Sequence, residues 1–137
     1  MKLIVDASAA ASWLLASQAT PSATGLLGRL PDFDLSAPHV FQWELGNLLI
    51  RQTRRDPGFS LGEAFGVLDS FQIQLAAPVE RAPLRALAAI AAARGLSLFD
   101  ANYLWLAMQN DGAVASRDEG LLTAAIAAGV DVFDLRR

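Results

Sequence analysis

The chain has 137 residues, of which 53% are hydrophobic and 18% charged, and carries a formal net charge of −3 at pH 7. That length buries one core rather than two, so a single domain over residues 1–137 is expected, and the mild acidity excludes a protein that coats nucleic acid with a broadly basic surface. With no cysteine and His39 as the one histidine, disulfides, thiolate zinc sites and cysteine nucleophiles fall away, and any metal is left to oxygen ligands, which favours magnesium, manganese or calcium.

Lys2 to Val5 is a short β-branched apolar run that stops at Asp6, and Ala7 to Leu15 follows with helical composition. Thr20 to Leu30 predicts a helix with Thr20 as cap and Pro21 at its first position, ended by Pro31. Leu35 to Ala37 predicts a brief strand. From His39 to Arg55, Phe41, Leu45, Leu48 and Leu49 recur at helical spacing until Asp56-Pro57-Gly58 stops the helix. Ser60 to Phe71 is a further helix, opened by the capping pair Ser60 and Glu63. Ile73 to Ala77 alternates like a strand.

Pro83 to Arg94 is an alanine-rich helix closed by Gly95, and Ser97 to Asn110 is another closed by Gly112. Ala113 to Ala115 predicts a strand, Asp118 to Ala128 a helix closed by Gly129, and Val130 to Leu135 a last strand. Strands separated by crossover helices predict an α/β fold with a mainly parallel sheet covered on both faces. No apolar run approaches the ~18 residues of a membrane span, and no signal-peptide pattern opens the chain, so a soluble, cytoplasmic protein is expected.

Four acids stand at positions where this architecture binds ligands. Asp6 ends the first strand, at the edge where open parallel sheets hold their ligands, although an aspartate there also caps the next helix. Ser8 either supports a metal-bound water or caps that helix, with the cap favoured. Glu44 lies about one turn into its helix, on a stripe with Val40, Asn47 and Arg51. Asp100 closes an S-x-x-D capping pattern with Ser97, which also sets a carboxylate at the positive end of a helix dipole. Asp118 opens a helix after the "AVAS" strand, and a capping pair of Ser116 and Glu119 would leave it free to face a site. Four carboxylates brought together repel one another and raise one another's pKa unless a divalent cation lies between them.

These acids sit within "LIVDASA", "ELGNLL", "SLFDANYLWLA" and "ASRDEGLLTAA", and in this order and spacing the chain resembles the PIN-domain family, and within it the VapC toxins. The resemblance implies a three-layer α/β/α sandwich and metal-dependent endonucleolytic cleavage of RNA, with folded tRNA among the candidate substrates. It matches Asp6, Glu44, Asp100 and Asp118 to the family's acidic metal-binding set and Ser116 to a Ser/Thr slot. Mg2+ or Mn2+ is the implied cofactor, with Asp6, Glu44 and Asp100 as direct ligands and Asp118 acting through water or a second metal. The implied partners are a VapB-like antitoxin peptide across the site and a second copy in a homodimer.

Trp13, Trp43, Phe99 and Trp105 are expected in the core or a dimer interface rather than as base-stacking platforms, with an antitoxin groove able to expose some of them. His39 is expected at a helix start, and Arg51, Arg54 and Arg55 near a helix end, either complementing its dipole or meeting RNA phosphates. Alternatives are a PIN-fold RNA-processing nuclease without an antitoxin and a non-catalytic binding module of the same fold. The intact four acids argue against the second. A phosphotransfer domain built on Asp6 lacks its company, since Ser8 replaces a second aspartate and Lys2 is the only lysine.

Overall fold

The computed structural model describes residues Met1–Arg137. Lys2–Val5 forms β1, in which Leu3, Ile4 and Val5 are wholly buried. A strand apolar at three successive positions, so on both of its faces, belongs in the middle of a sheet covered on both sides. It pairs in parallel with β2 (Asp34–Ala37) on one side and with β4 (Ala113–Ser116) on the other. β3 (Gln74–Leu75) and β5 (Val132–Asp134) complete an all-parallel sheet of order β3-β2-β1-β4-β5. The two outer strands are shorter than the sequence predicts, because each has a ladder partner on one side only.

Seven helices cover the sheet: α1 (Ala7–Leu14), α2 (Pro21–Leu27), α3 (Val40–Arg55), α4 (Leu61–Ser70), α5 (Arg81–Arg94), α6 (Leu98–Gln109) and α7 (Glu119–Ala127). α1 packs with α2, α3 and α4, and α6 packs with α5 and α7. Right-handed crossovers send these groups to opposite faces, because the chain leaves β1 toward β2 and leaves β4 toward β5. The result is the three-layer α/β/α sandwich. Two 3₁₀ turns not anticipated in the sequence, Ala16–Gln18 and Leu30–Asp32, join its elements.

Small residues set the layer spacing. Ala9, Ala10 and Ala11 of α1 are wholly buried within one hydrophobic cluster of 27 residues, and methyl side chains let this helix lie close to the sheet. The expected caps form: Thr20 Oγ1 accepts from the Ala23 amide at 3.1 Å, Ser60 Oγ from Glu63 at 3.2 Å and Ser97 Oγ from Asp100 at 3.1 Å. α5 starts two residues before Pro83, which sits in the first turn where its missing amide proton has no partner to lose. Gly95 ends that helix in the left-handed conformation at φ +65°.

Gly112 does not close α6 as the sequence suggests. Asp111 takes the left-handed position, at φ +49°, and Gly112 serves a close approach, since a Cβ there would lie 2.9 Å from the Lys2 carbonyl oxygen. This contact holds the start of β4 against β1.

Candidate active site

The strand order reverses between β1 and β4, whose following helices leave toward opposite faces, and the crevice at their carboxyl ends is the position at which open α/β sheets bind ligands. Asp6 follows β1 there, and Asp118 lies two residues beyond β4. α3 enters from the end of β2 and brings Glu44, while the first turn of α6 brings Asp100. All four acids line one cavity of about 420 Å³, together with Ser8, Trp43, Asn47, Arg51, Phe99 and Tyr103. A larger groove of about 910 Å³, lined by residues such as Leu30, Phe33 and Phe71, contains none of them.

Asp6 is buried, with three donors on its carboxylate. The Ser8 hydroxyl donates to Oδ1 at 2.7 Å, the Ala9 amide to the same oxygen at 2.8 Å, and the Ser116 hydroxyl to Oδ2 at 2.5 Å. Asp6 is therefore the cap of α1, and Ser8, expected in that role, instead orients Asp6 and accepts from the Arg117 amide at 2.9 Å. The other capping expectation also changes. Asp118 itself caps α7, Oδ2 accepting from the Leu121 amide at 2.7 Å, whereas Ser116 Oγ accepts from the Asp118 amide at 2.8 Å. Ser116 thus ties the ends of β1 and β4 together with one hydroxyl.

Burial pushes Asp6 up to about 6, against the hydrogen bonds from Ser116, Ala9 and Ser8 and with the charge of Asp100 adding to it. Glu44 is raised by burial first, opposed by a hydrogen bond from Tyr103 and reinforced by Asp100 and Asp6. Burial and then the charge of Asp118 raise Asp100, with Ser97 working the other way. The acids therefore feel one another as like charges in a partly dehydrated crevice. Their donor set is entirely oxygen, which suits a hard divalent cation in chemistry and charge. As placed, no three of them surround a common point that would hold an ion, so the fit is one of donors rather than of a preformed cage.

Sequence reasoning passed over Tyr103, buried on α6 one turn after Asp100, whose hydroxyl donates to Glu44 Oε1 at 2.9 Å. Its i+3 spacing from Asp100 was the available signal. Arg51 also lines the cavity, whereas Arg54 and Arg55 do not. Of the aromatic residues expected in the core or an interface, Trp13 is half-buried, donates to the Ala23 carbonyl at 3.0 Å and packs edge-on against Phe71, and Trp105 is half-buried. Trp43 and Phe99 are not core residues: they are 69% and 56% exposed.

A search of curated proteins finds no matching sequence. The fold is similar to that of PAE2754 from Pyrobaculum aerophilum, with a TM-score of 0.69 at 21% identity over 97% of this chain and 90% of that one. It is also similar to FitAcB from Neisseria gonorrhoeae, with a TM-score of 0.59 at 18% identity over 98% of this chain and 99% of that one. A family model for the PIN domain matches residues 3–127, nearly the whole length, and the chain belongs to the PIN domain family.

Proposed function

We propose that this protein is a cytoplasmic, Mg2+- or Mn2+-dependent endoribonuclease and the toxin of a VapBC-type toxin–antitoxin pair, with Asp6, Glu44, Asp100 and Asp118 as its catalytic acids. The observation that carries the nuclease reading is the convergence of these four acids on one cavity at the reversal of strand order. The toxin reading rests on the resemblance of the four motifs to VapC toxins, and a homodimer and a VapB-like antitoxin belong to it. No single helix is long and apolar enough to cross a membrane.

In this reading Asp6, Glu44 and Asp100 hold the cation, and Asp118 contributes through water or to a second ion. The bound cation supplies Lewis acidity that lowers the pKa of water and stabilises the charge developing at phosphorus. The chain supplies the rest. Ser8, Ser116 and the Ala9 amide fix the orientation of Asp6, and Tyr103 fixes one oxygen of Glu44. With its value near 6, Asp6 is mostly ionised at neutral pH and free of its proton when a cation arrives.

Purified protein incubated with total RNA containing folded tRNA, in Mg2+, Mn2+ or EDTA, tests this directly. Discrete fragments are expected with either metal and none with EDTA, and Asp6→Asn and Asp100→Asn should each lose at least about a hundredfold in rate. Absence of cleavage by antitoxin-free protein in both metals would sink the nuclease reading. Growth arrest on expression, relieved by the product of an adjacent small gene, tests the toxin assignment.

A further inference from the structure

Two of the most exposed aromatic side chains in the molecule stand beside the acids. Trp43 immediately precedes Glu44 on α3, and Phe99 immediately precedes Asp100 on α6, so the same two helices that deliver acids to the cavity each deliver a ring to its lining. At 69% and 56% exposure, neither ring gains much from burial in the fold. Arg51 lines the same cavity and takes part in neither of the chain's two ion pairs, although four carboxylates share its surroundings. Its Nε donates instead to the Asn47 carbonyl of its own helix, at 3.4 Å.

We propose that Trp43 and Phe99 form an aromatic clamp that stacks on unpaired bases next to the phosphate being cut, with Arg51 as the anchor for a neighbouring phosphate. This rests on the nuclease reading of the cavity and deepens it by assigning substrate-binding residues. A planar π-face stacks on any base, and it reaches only bases that are unpaired and splayed from their neighbours. A guanidinium fits the oxygens of a phosphodiester and, unpaired, has no carboxylate to release first. Acids alone would repel a polyanion, so a cavity that works on one needs attraction from elsewhere. Stacking rings and an unpaired cation at its walls provide it.

The test is binding of a 5′-fluorescein-labelled single-stranded RNA oligonucleotide, followed by anisotropy with calcium as the divalent ion. Intactness of the RNA is checked on a gel, and the folding and oligomeric state of every variant by circular dichroism and gel filtration. Trp43→Leu and Phe99→Leu should each weaken binding about tenfold, and Trp43→Phe by less than about threefold, since stacking follows the π-face. An abasic oligonucleotide of the same length should bind wild type as weakly as the normal strand binds a variant carrying both Trp43→Leu and Phe99→Leu, with no further loss on substitution. Arg51→Gln should reduce the slope of log affinity against log salt by about 0.7, the share of one single-strand phosphate.

Unchanged affinity in both leucine variants, or equal losses on the normal and abasic strands, would overturn the clamp. So would a dimer that falls to monomers while RNA binding stays intact, since the rings would then be a contact between copies. The parent reading is separated by the cleavage assay: wild type that cuts RNA while the leucine variants bind normally removes the clamp alone. Wild type that binds with the expected base dependence yet cuts nothing in Mg2+ or Mn2+ removes the nuclease and leaves the clamp.

Discussion

Tyr103 shows how much of the site depends on residues that are not acids. Its ring is buried and its hydroxyl donates to Glu44 Oε1 at 2.9 Å, so it both orients the carboxylate and favours its ionised form against burial. Tyr103→Phe keeps the ring and removes only that donor. Loss of a hydrogen bond to a charged, half-buried acceptor is expected to cost about 1–2 kcal/mol of stability. Glu44, without its donor, should titrate higher still, so the acidic limb of the pH–rate profile is expected to move to higher pH while the alkaline limb stays in place. A profile that drops uniformly, with no displacement of that limb, would show that Tyr103 matters for packing alone. The four acids were legible in the sequence as candidates because Asp6, Asp100 and Asp118 stand at or next to element boundaries and Glu44 about one turn into its helix. Tyr103 was not, because within an apolar run "YLWLA" an aromatic residue with a hydrogen-bonding duty looks the same as one that fills space.

At the scale of elements, helix starts were legible because side-chain oxygens at Thr20, Ser60 and Ser97 announce them chemically, and all three caps formed. Ser8 and Ser116 do not take the capping duties that the local sequence suggests, for one reason. Both hydroxyls lie next to a buried carboxylate that accepts from them, and that partner comes from across the fold in the case of Ser116. Exposure of Trp43 and Phe99 was hidden in the same way, since only the arrangement of α3 and α6 around the cavity decides which side of each helix meets it. Gly112 is the sharpest instance of a long-range cause. The local sequence suggests a helix end, yet what requires this glycine is the Lys2 carbonyl of β1, 2.9 Å from where a Cβ would stand. Gly112→Ala must push β4 from β1 at the strands whose far ends carry Ser116 and Asp6. A loss of about 1–3 kcal/mol in denaturant unfolding is expected, with reduced cleavage by the fraction that remains folded. Wild-type stability in this variant would show that the strands part without cost.

Across the whole molecule, collecting acids in one dehydrated crevice trades stability for function. Asp6 has a folded value of about 6 against an ordinary 3.8, so folding favours its protonated form. Its contribution to stability is complete below about pH 4 and is lost as the pH rises through about 6, a difference of roughly 3 kcal/mol. Glu44 and Asp100 are shifted in the same direction and add to the trend. Asp134, held down to about 2 by its Arg136 partner, runs the opposite way, but between pH 4 and 2 and at an exposed site, so it does not mask the effect. A divalent cation binds the ionised acids, so it should restore stability where they have lost their protons and do little where they have not. Thermal unfolding in EDTA is therefore expected to show a melting temperature that falls between about pH 4.5 and about pH 7.5, with Mg2+ or Mn2+ raising it at the higher pH only. Asp6→Asn carries no charge at either pH, so the metal-free fall should be smaller in this variant and the response to metal weaker. If wild type and Asp6→Asn show the same pH slope and the same gain from metal, the destabilising charge lies elsewhere, and Asp6 is not where the cation acts.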